Sequence, residues 1–154
     1  MISQTSIRIV RMINYKKKNE NMLKVEDLHI GDWVLFSNAP CKVIGISKNG
    51  VTLDLSNFDN AKEGQVDLCD ISPIPLTEEL LERNGYKFTF DDGILRQYED
   101  DCFRIKETND GRFLIYLKVS NDDEEVDVLV AIAISVHELQ HTFWVMSGDD
   151  NFDI

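Results

Sequence analysis

Val51-Thr52-Leu53-Asp54-Leu55 alternates strictly between apolar and polar side chains. A period of two puts Val51, Leu53 and Leu55 on one face of a strand, and a helix cannot use that pattern. The same kind of short run recurs along the chain, separated by turn signals. Trp33–Phe36 follows Gly31-Asp32, and Cys41–Ile46 leads to Lys48-Asn49-Gly50. Asn-Gly favours the positive φ angles of a tight hairpin turn, so Val51–Leu55 reads as the return strand. A looser strand is expected over Gln65–Leu68. Four or five short strands in so little chain predict a small SH3-like β-barrel or a curled meander.

Ile71-Ser72-Pro73-Ile74-Pro75-Leu76 breaks this rhythm. Its two prolines exclude helix and central strand, which makes it an extended connector and the domain boundary. Pro73-x-Pro75 also has the form of a short proline-rich ligand. Thr77 then caps a short helix with Glu78 and Glu79 in its first turn, and Asn84-Gly85 ends it. Strands follow at Tyr86–Phe90, Ile94–Tyr98, Cys102–Glu107 and Arg112–Val119, with Phe113, Ile115, Leu117 and Val119 on one face. After the acidic turn Asn121–Glu125, Val126–Val130 returns as the last strand. A helix from Ser135 to Met146 ends before Gly148. The fold class is α+β: an N-terminal SH3-like barrel or meander, then an antiparallel sheet covered by one C-terminal helix. The expected divisions are 1–21, a basic, disordered extension; 22–76, the SH3-like β domain; and 77–154, the α+β domain.

Charge divides along the same lines. The formal net charge is −12. Residues 1–21 hold Arg8, Arg11, Lys16, Lys17 and Lys18 against Glu20, a net of +4, which leaves −16 on the remainder. An acidic body repels phosphate backbones, so nucleic acid is not the expected partner, although the basic head has the form of a nucleic-acid arm. No apolar run is long enough for a membrane span or a secretion signal, and a cytoplasmic protein is expected. Cys41, Cys69 and Cys102 form no C-x-x-C pair and read as buried, reduced thiols.

His137-Glu138-Leu139-Gln140-His141 spells the zinc-protease pattern, in which two histidines four apart ligate zinc and the glutamate polarises water. The chemistry also needs a third ligand. The extended form of the motif places a glycine and then a histidine downstream, where this chain has Trp144 and Ser147. Asp149, Asp150 and Asp153 lie beyond Gly148 in an expected mobile tail, and Glu107 or His29 could reach in from upstream. Ser135-Val136-His137-Glu138 meanwhile fits a capping box, which gives Glu138 a backbone partner. Val136, Leu139, Phe143 and Met146 form the apolar stripe, which leaves His137 and His141 on the solvated side. The residues therefore favour no metal site and no cofactor. Asp91-Asp92-Gly93 and Asp149-Asp150 are too short for a calcium loop. Trp33, Phe36 and Trp144 are aromatic, and most such residues are core rather than ligand platforms.

Three segments resemble a family of small uncharacterised proteins of Bacteroides-type gut bacteria and their phages or mobile elements. They are Leu28–Val34, Ile71–Leu81 with Asn84-Gly85-Tyr86, and Val136–Gln140 before Phe143 and Gly148. The resemblance covers about residues 22–150 and implies no activity, cofactor or partner. It implies a start at the equivalent of Met22, and an asparagine where this chain has His141. The expected function is that of a non-enzymatic accessory protein binding a protein partner through its acidic surface, in one version as a nucleic-acid mimic. A zinc hydrolase using His137, Glu138 and His141, with Asp149 or Asp150 as third ligand, is the first alternative. A nucleic-acid binder using the barrel and the basic arm is the second.

Overall fold

A computed structural model describes residues 23–58, 62–149 and 151–154. The expected extension over 1–21 lies outside the described residues, as does Asp150. The fold is α+β and contains two five-stranded antiparallel sheets. The chain forms two compact units. Among the described residues, one holds Leu23–Ile30 together with Val34–Pro73, and the other holds Gly31–Trp33 with Ile74–Ile154. Gly31–Trp33 thus belongs with the second unit, although its position in sequence suggested the first.

The first unit contains β1 (Trp33–Phe36) from Val34 onward, β2 (Ala39–Ser47), β3 (Gly50–Asp54), β4 (Glu63–Val66) and β5 (Ile71–Pro73), in sheet order β4-β3-β2-β1-β5. Val34, Cys41, Val43, Val51, Leu53 and Ile71 form its buried core with Leu23 and Leu28. Part of the expected connector is therefore a strand. It pairs with β1 through Phe36–Ile71 and Val34–Pro73 at the edge of the sheet, where a missing proline N–H costs nothing.

The Asn-Gly reading fails in its reason. The turn residues are Lys48 and Asn49, and Gly50 is already in β3, paired with Ser47. Gly50 does not have positive φ; the left-handed pair is Ser37-Asn38, between β1 and β2, at φ 49° and 61°. Glycine stands at position 50 because a Cβ there would lie 2.4 Å from the Val66 carbonyl oxygen of β4. Gly50→Ala is expected to lower stability by about 1–3 kcal/mol, since backbone must move to admit the methyl; a urea titration measures it.

The second unit contains α1 (Glu78–Arg83), β6 (Lys87–Asp91), β7 (Leu95–Glu99), β8 (Phe103–Thr108), β9 (Phe113–Asn121), β10 (Glu124–Ala133) and α2 (Val136–Ser147). The Leu80 N–H donates to Thr77 Oγ1 at 3.3 Å, capping α1 as the sequence suggests. The strands form a simple meander, β10-β9-β8-β7-β6. Phe113 and Ile115 face the core with Tyr98, Phe103 and Ile105, and α2 adds Val136, Leu139 and Phe143. The Phe143 ring stacks on Tyr86 at 6.0 Å and tilts against Phe103 at 5.0 Å. Gly148 ends α2 in the left-handed conformation, φ 73°, which glycine adopts without strain.

Three expectations about this half are corrected. Met146 is exposed rather than core, because the buried stripe stops at Phe143, three residues earlier. Cys69 and Cys102 are exposed, and only Cys41 is buried. The tail beyond Gly148 is pinned: Phe152 is buried, and Asn84 donates to the Asp153 carbonyl and accepts from its N–H at 2.9 and 2.7 Å.

Candidate functional site

The pentapeptide occupies the first turns of α2, and its local geometry starts one residue before the helix. Ile74–Leu76 runs antiparallel to Ile134–Val136. Val136 N–H donates to Ile74 O at 2.9 Å, and Leu76 N–H to Ile134 O at 3.2 Å. The capping box forms, and Glu138 Oε2 accepts from Ile134 N–H at 2.7 Å and Ser135 N–H at 3.1 Å. A carboxylate beside the helix N-terminus also suits the helix dipole. Glu138→Ala is expected to cost about 1 kcal/mol, and Glu138→Gln less, because an amide oxygen still accepts; the difference between their denaturation midpoints checks this.

The two histidines are not on a solvated face. His137 is buried, with Nδ1 3.0 Å from Ser135 Oγ. His141 is partly buried, and its Nε2 lies 2.9 and 2.8 Å from Oδ1 and Oδ2 of Asp32. The helical wheel counted only apolar residues as buried. Here the neighbouring face is covered by Gly31-Asp32-Trp33, a polar segment that brings its own partners.

Gln140 makes the covering specific. Its Nε2 donates to Gly31 O at 3.2 Å, and its Oε1 accepts from Trp33 N–H at 3.0 Å. One side-chain amide thus satisfies a backbone acceptor and a backbone donor on either side of Asp32. Gly31 has φ 103°, a conformation that glycine tolerates and that helps the carbonyl turn toward α2. Trp33 Nε1–H donates to Phe152 O at 3.0 Å, which ties the pinned tail to the same segment. Asp32 is fully buried, as is Gln140 at 1% exposure. Buried polar groups are stable only when bonded in this way.

Zinc hydrolysis requires Glu138 to face water beside the metal, and here both N–H groups of the cap hold it. The His137 nitrogen facing Ser135 and the His141 nitrogen facing Asp32 are likewise engaged. Asp149, the expected third ligand, accepts from Asn151 N–H at 3.0 Å. Of the upstream alternatives, Glu107 accepts from the Tyr98 hydroxyl at 3.2 Å, and His29 is exposed in the first unit. Among the described residues, the three metal-type side chains with ligand atoms within 4.8 Å of one another are Asp67, Cys69 and Asp70, all exposed. The sequence gives Asp32 only as part of a turn signal and Gln140 only within a resembling segment, with no role at this site for either. The only signal pointing to Asp32 was an acid between a glycine and a tryptophan.

A second feature lies on β10. Cross-strand partners share a sheet face, so Val126 and Val128, opposite Val119 and Leu117, lie on the face of buried Phe113 and Ile115. Leu129 and Ile132, opposite Tyr116 and Leu114, lie on the other. All four are 45–51% exposed. Trp144, Val145 and Met146 of α2 are exposed too, and Val130, His141, Thr142, Val145 and Met146 line a shallow cavity of about 230 Å³. The acidic end of the strand is fastened by Arg104, which reaches Glu99 at 2.8 Å, Asp127 at 2.5 Å and Glu125 at 3.0 Å. Hydrogen bonds from Glu99 and Asp127 push the guanidinium pKa up, so the cation persists at any accessible pH. Of the possible aromatic platforms, Phe36 packs edge-on to Phe58, Trp33 is engaged with Phe152, and Trp144 is open.

Comparison of the chain with protein-family models, with curated proteins and with solved structures returns no match.

Proposed function

We propose that this protein is a non-enzymatic interaction protein whose partner is a basic protein. The observation that carries this reading is β10, a ten-residue strand at the edge of its sheet, with apolar side chains open on both faces and acids at one end. A long apolar edge is normally blunted or covered, and an open one is a template for pairing with another chain. The −16 balance of the body would steer a basic partner toward it.

The engagement of Glu138, His137 and His141 in structural contacts supports this reading over a zinc hydrolase. The acidic body supports it over a nucleic-acid binder. No helix among the described residues is long and apolar enough to cross a membrane. The first unit's order, a four-strand meander whose fifth strand returns beside β1, supports an SH3-like curl.

The test uses the full chain as bait in bacterial lysate at low and high salt, beside a Val128→Lys, Leu129→Lys bait. Basic proteins retained by the natural chain at low salt and lost from the variant are the expected result. Equal retention by both baits, or no basic protein at low salt, contradicts the proposal.

A further inference from the structure

The outer edge of β10 leads into a cavity. Glu124–Leu129 pairs regularly with Asn121–Tyr116. Leu129 and Ala131 then pair with the consecutive residues Tyr116 and Ile115, so Val130 is an extra residue, a bulge that closes the regular ladder. Val130 lines the shallow cavity of about 230 Å³ together with His141, Thr142, Val145 and Met146 of α2. Its walls are mainly apolar, and it has room for one bulky side chain.

The ladder positions carry a pattern of their own. Glu124, Val126 and Val128 lie on the face of buried Phe113 and Ile115, and all three are exposed. On the other face Leu129 is exposed, while Glu125 and Asp127 are already joined to Arg104. Asp122, Asp123 and Glu124 are exposed acids at the turn. We infer that β10 takes an extended segment of its basic partner, laid antiparallel. That segment reads, in order, a bulky apolar anchor, alternating apolar and neutral polar residues, and a cluster of lysine or arginine. The anchor fills the cavity beside Val130, the apolar residues cover Val128 and Val126, and the bases meet Glu124, Asp123 and Asp122. Antiparallel addition continues the pattern of β6 to β10, whose pairings are all antiparallel. A parallel segment would need the reverse order of charge and forms a slightly weaker ladder. A second β10 does not fit, because laid antiparallel it offers its apolar end, not a base, to the turn. The inference rests on β10 being the contact surface proposed above, and adds the direction and order of what binds there.

A fluorescein-labelled peptide tests it against the full chain at low salt. The peptide reads phenylalanine, leucine, valine–threonine twice, then three lysines. Its control has the same residues in reverse order, so both feel the acidic body equally. The forward peptide should bind about tenfold more tightly, the effect of misplacing three surface charge pairs. Val128→Lys and Val145→Glu should each weaken it. Asp122→Lys, Asp123→Lys and Glu124→Lys together should reject it and bind a counterpart ending in three glutamates, a gain that a misfolded chain would not show. Equal affinity for the forward and reversed peptides overturns the inference, and so does tighter binding of the reversed one. Binding of neither overturns it too; basic lysate proteins that still depend on Val128 and Leu129 would then leave the proposed function standing without it.

Discussion

Replacing Asp32 with alanine is expected to destabilise the unit that carries α2 by about 3 kcal/mol, a large fraction of the stability of a small domain. The carboxylate is fully buried and receives His141 Nε2 at 2.8–2.9 Å. Truncation removes the hydrogen-bond partner of His141 Nε2 and leaves the imidazole facing a void on its inner side. His141 retains 24% side-chain exposure, so water can solvate part of what is lost, which limits the cost of the unmade hydrogen bond. Asp32→Asn keeps the shape and one acceptor, so it should cost about half as much. Urea denaturation of the three proteins measures the series.

Gln140→Leu is the second large effect, about 2–3 kcal/mol. Leucine fills most of the volume and is a better helix former than many residues, so neither packing nor propensity accounts for the loss. What disappears is the pair of bonds to Gly31 O and Trp33 N–H. Both backbone groups would stay beside α2 without these partners, and an unmade buried bond costs more than a made one contributes. Gln140→Glu separates the two halves of the clamp. It keeps the acceptor for Trp33 N–H but loses the donor for Gly31 O, and it introduces a carboxylate beside Asp32. It should therefore be at least as harmful as leucine.

These residues also mark the limit of what the sequence discloses. The strands are legible because alternation is local: Val51 and Leu53 are buried as their spacing implies, and so are Phe113 and Ile115. The cap of α2 is legible for the same reason, since Ser135 and Glu138 stand three residues apart. The clasp is not local. Asp32 and His141 are 109 residues apart, and no periodicity connects them. A helical wheel sorts residues by hydropathy, so it places buried His137 and partly buried His141 on the solvated side. Gly50 shows a related failure. Asn-Gly has a familiar local meaning, but here the glycine serves the approach of β4, which only the assembled sheet contains. The zinc-like spelling of the pentapeptide is the same problem in reverse, a local pattern whose residues have non-local uses.

The central claim is that His137–His141 builds structure: its glutamate caps α2 and its Gln140 and His141 hold Gly31–Trp33. The most direct test is a double-mutant cycle between Asp32 and His141, read by urea denaturation with and without a chelator. The account predicts a coupling of about 1.5 kcal/mol or more between Asp32→Ala and His141→Ala, and the same stability in both buffers. Additive effects of the two substitutions, or a stability that falls when the chelator is added, would contradict it.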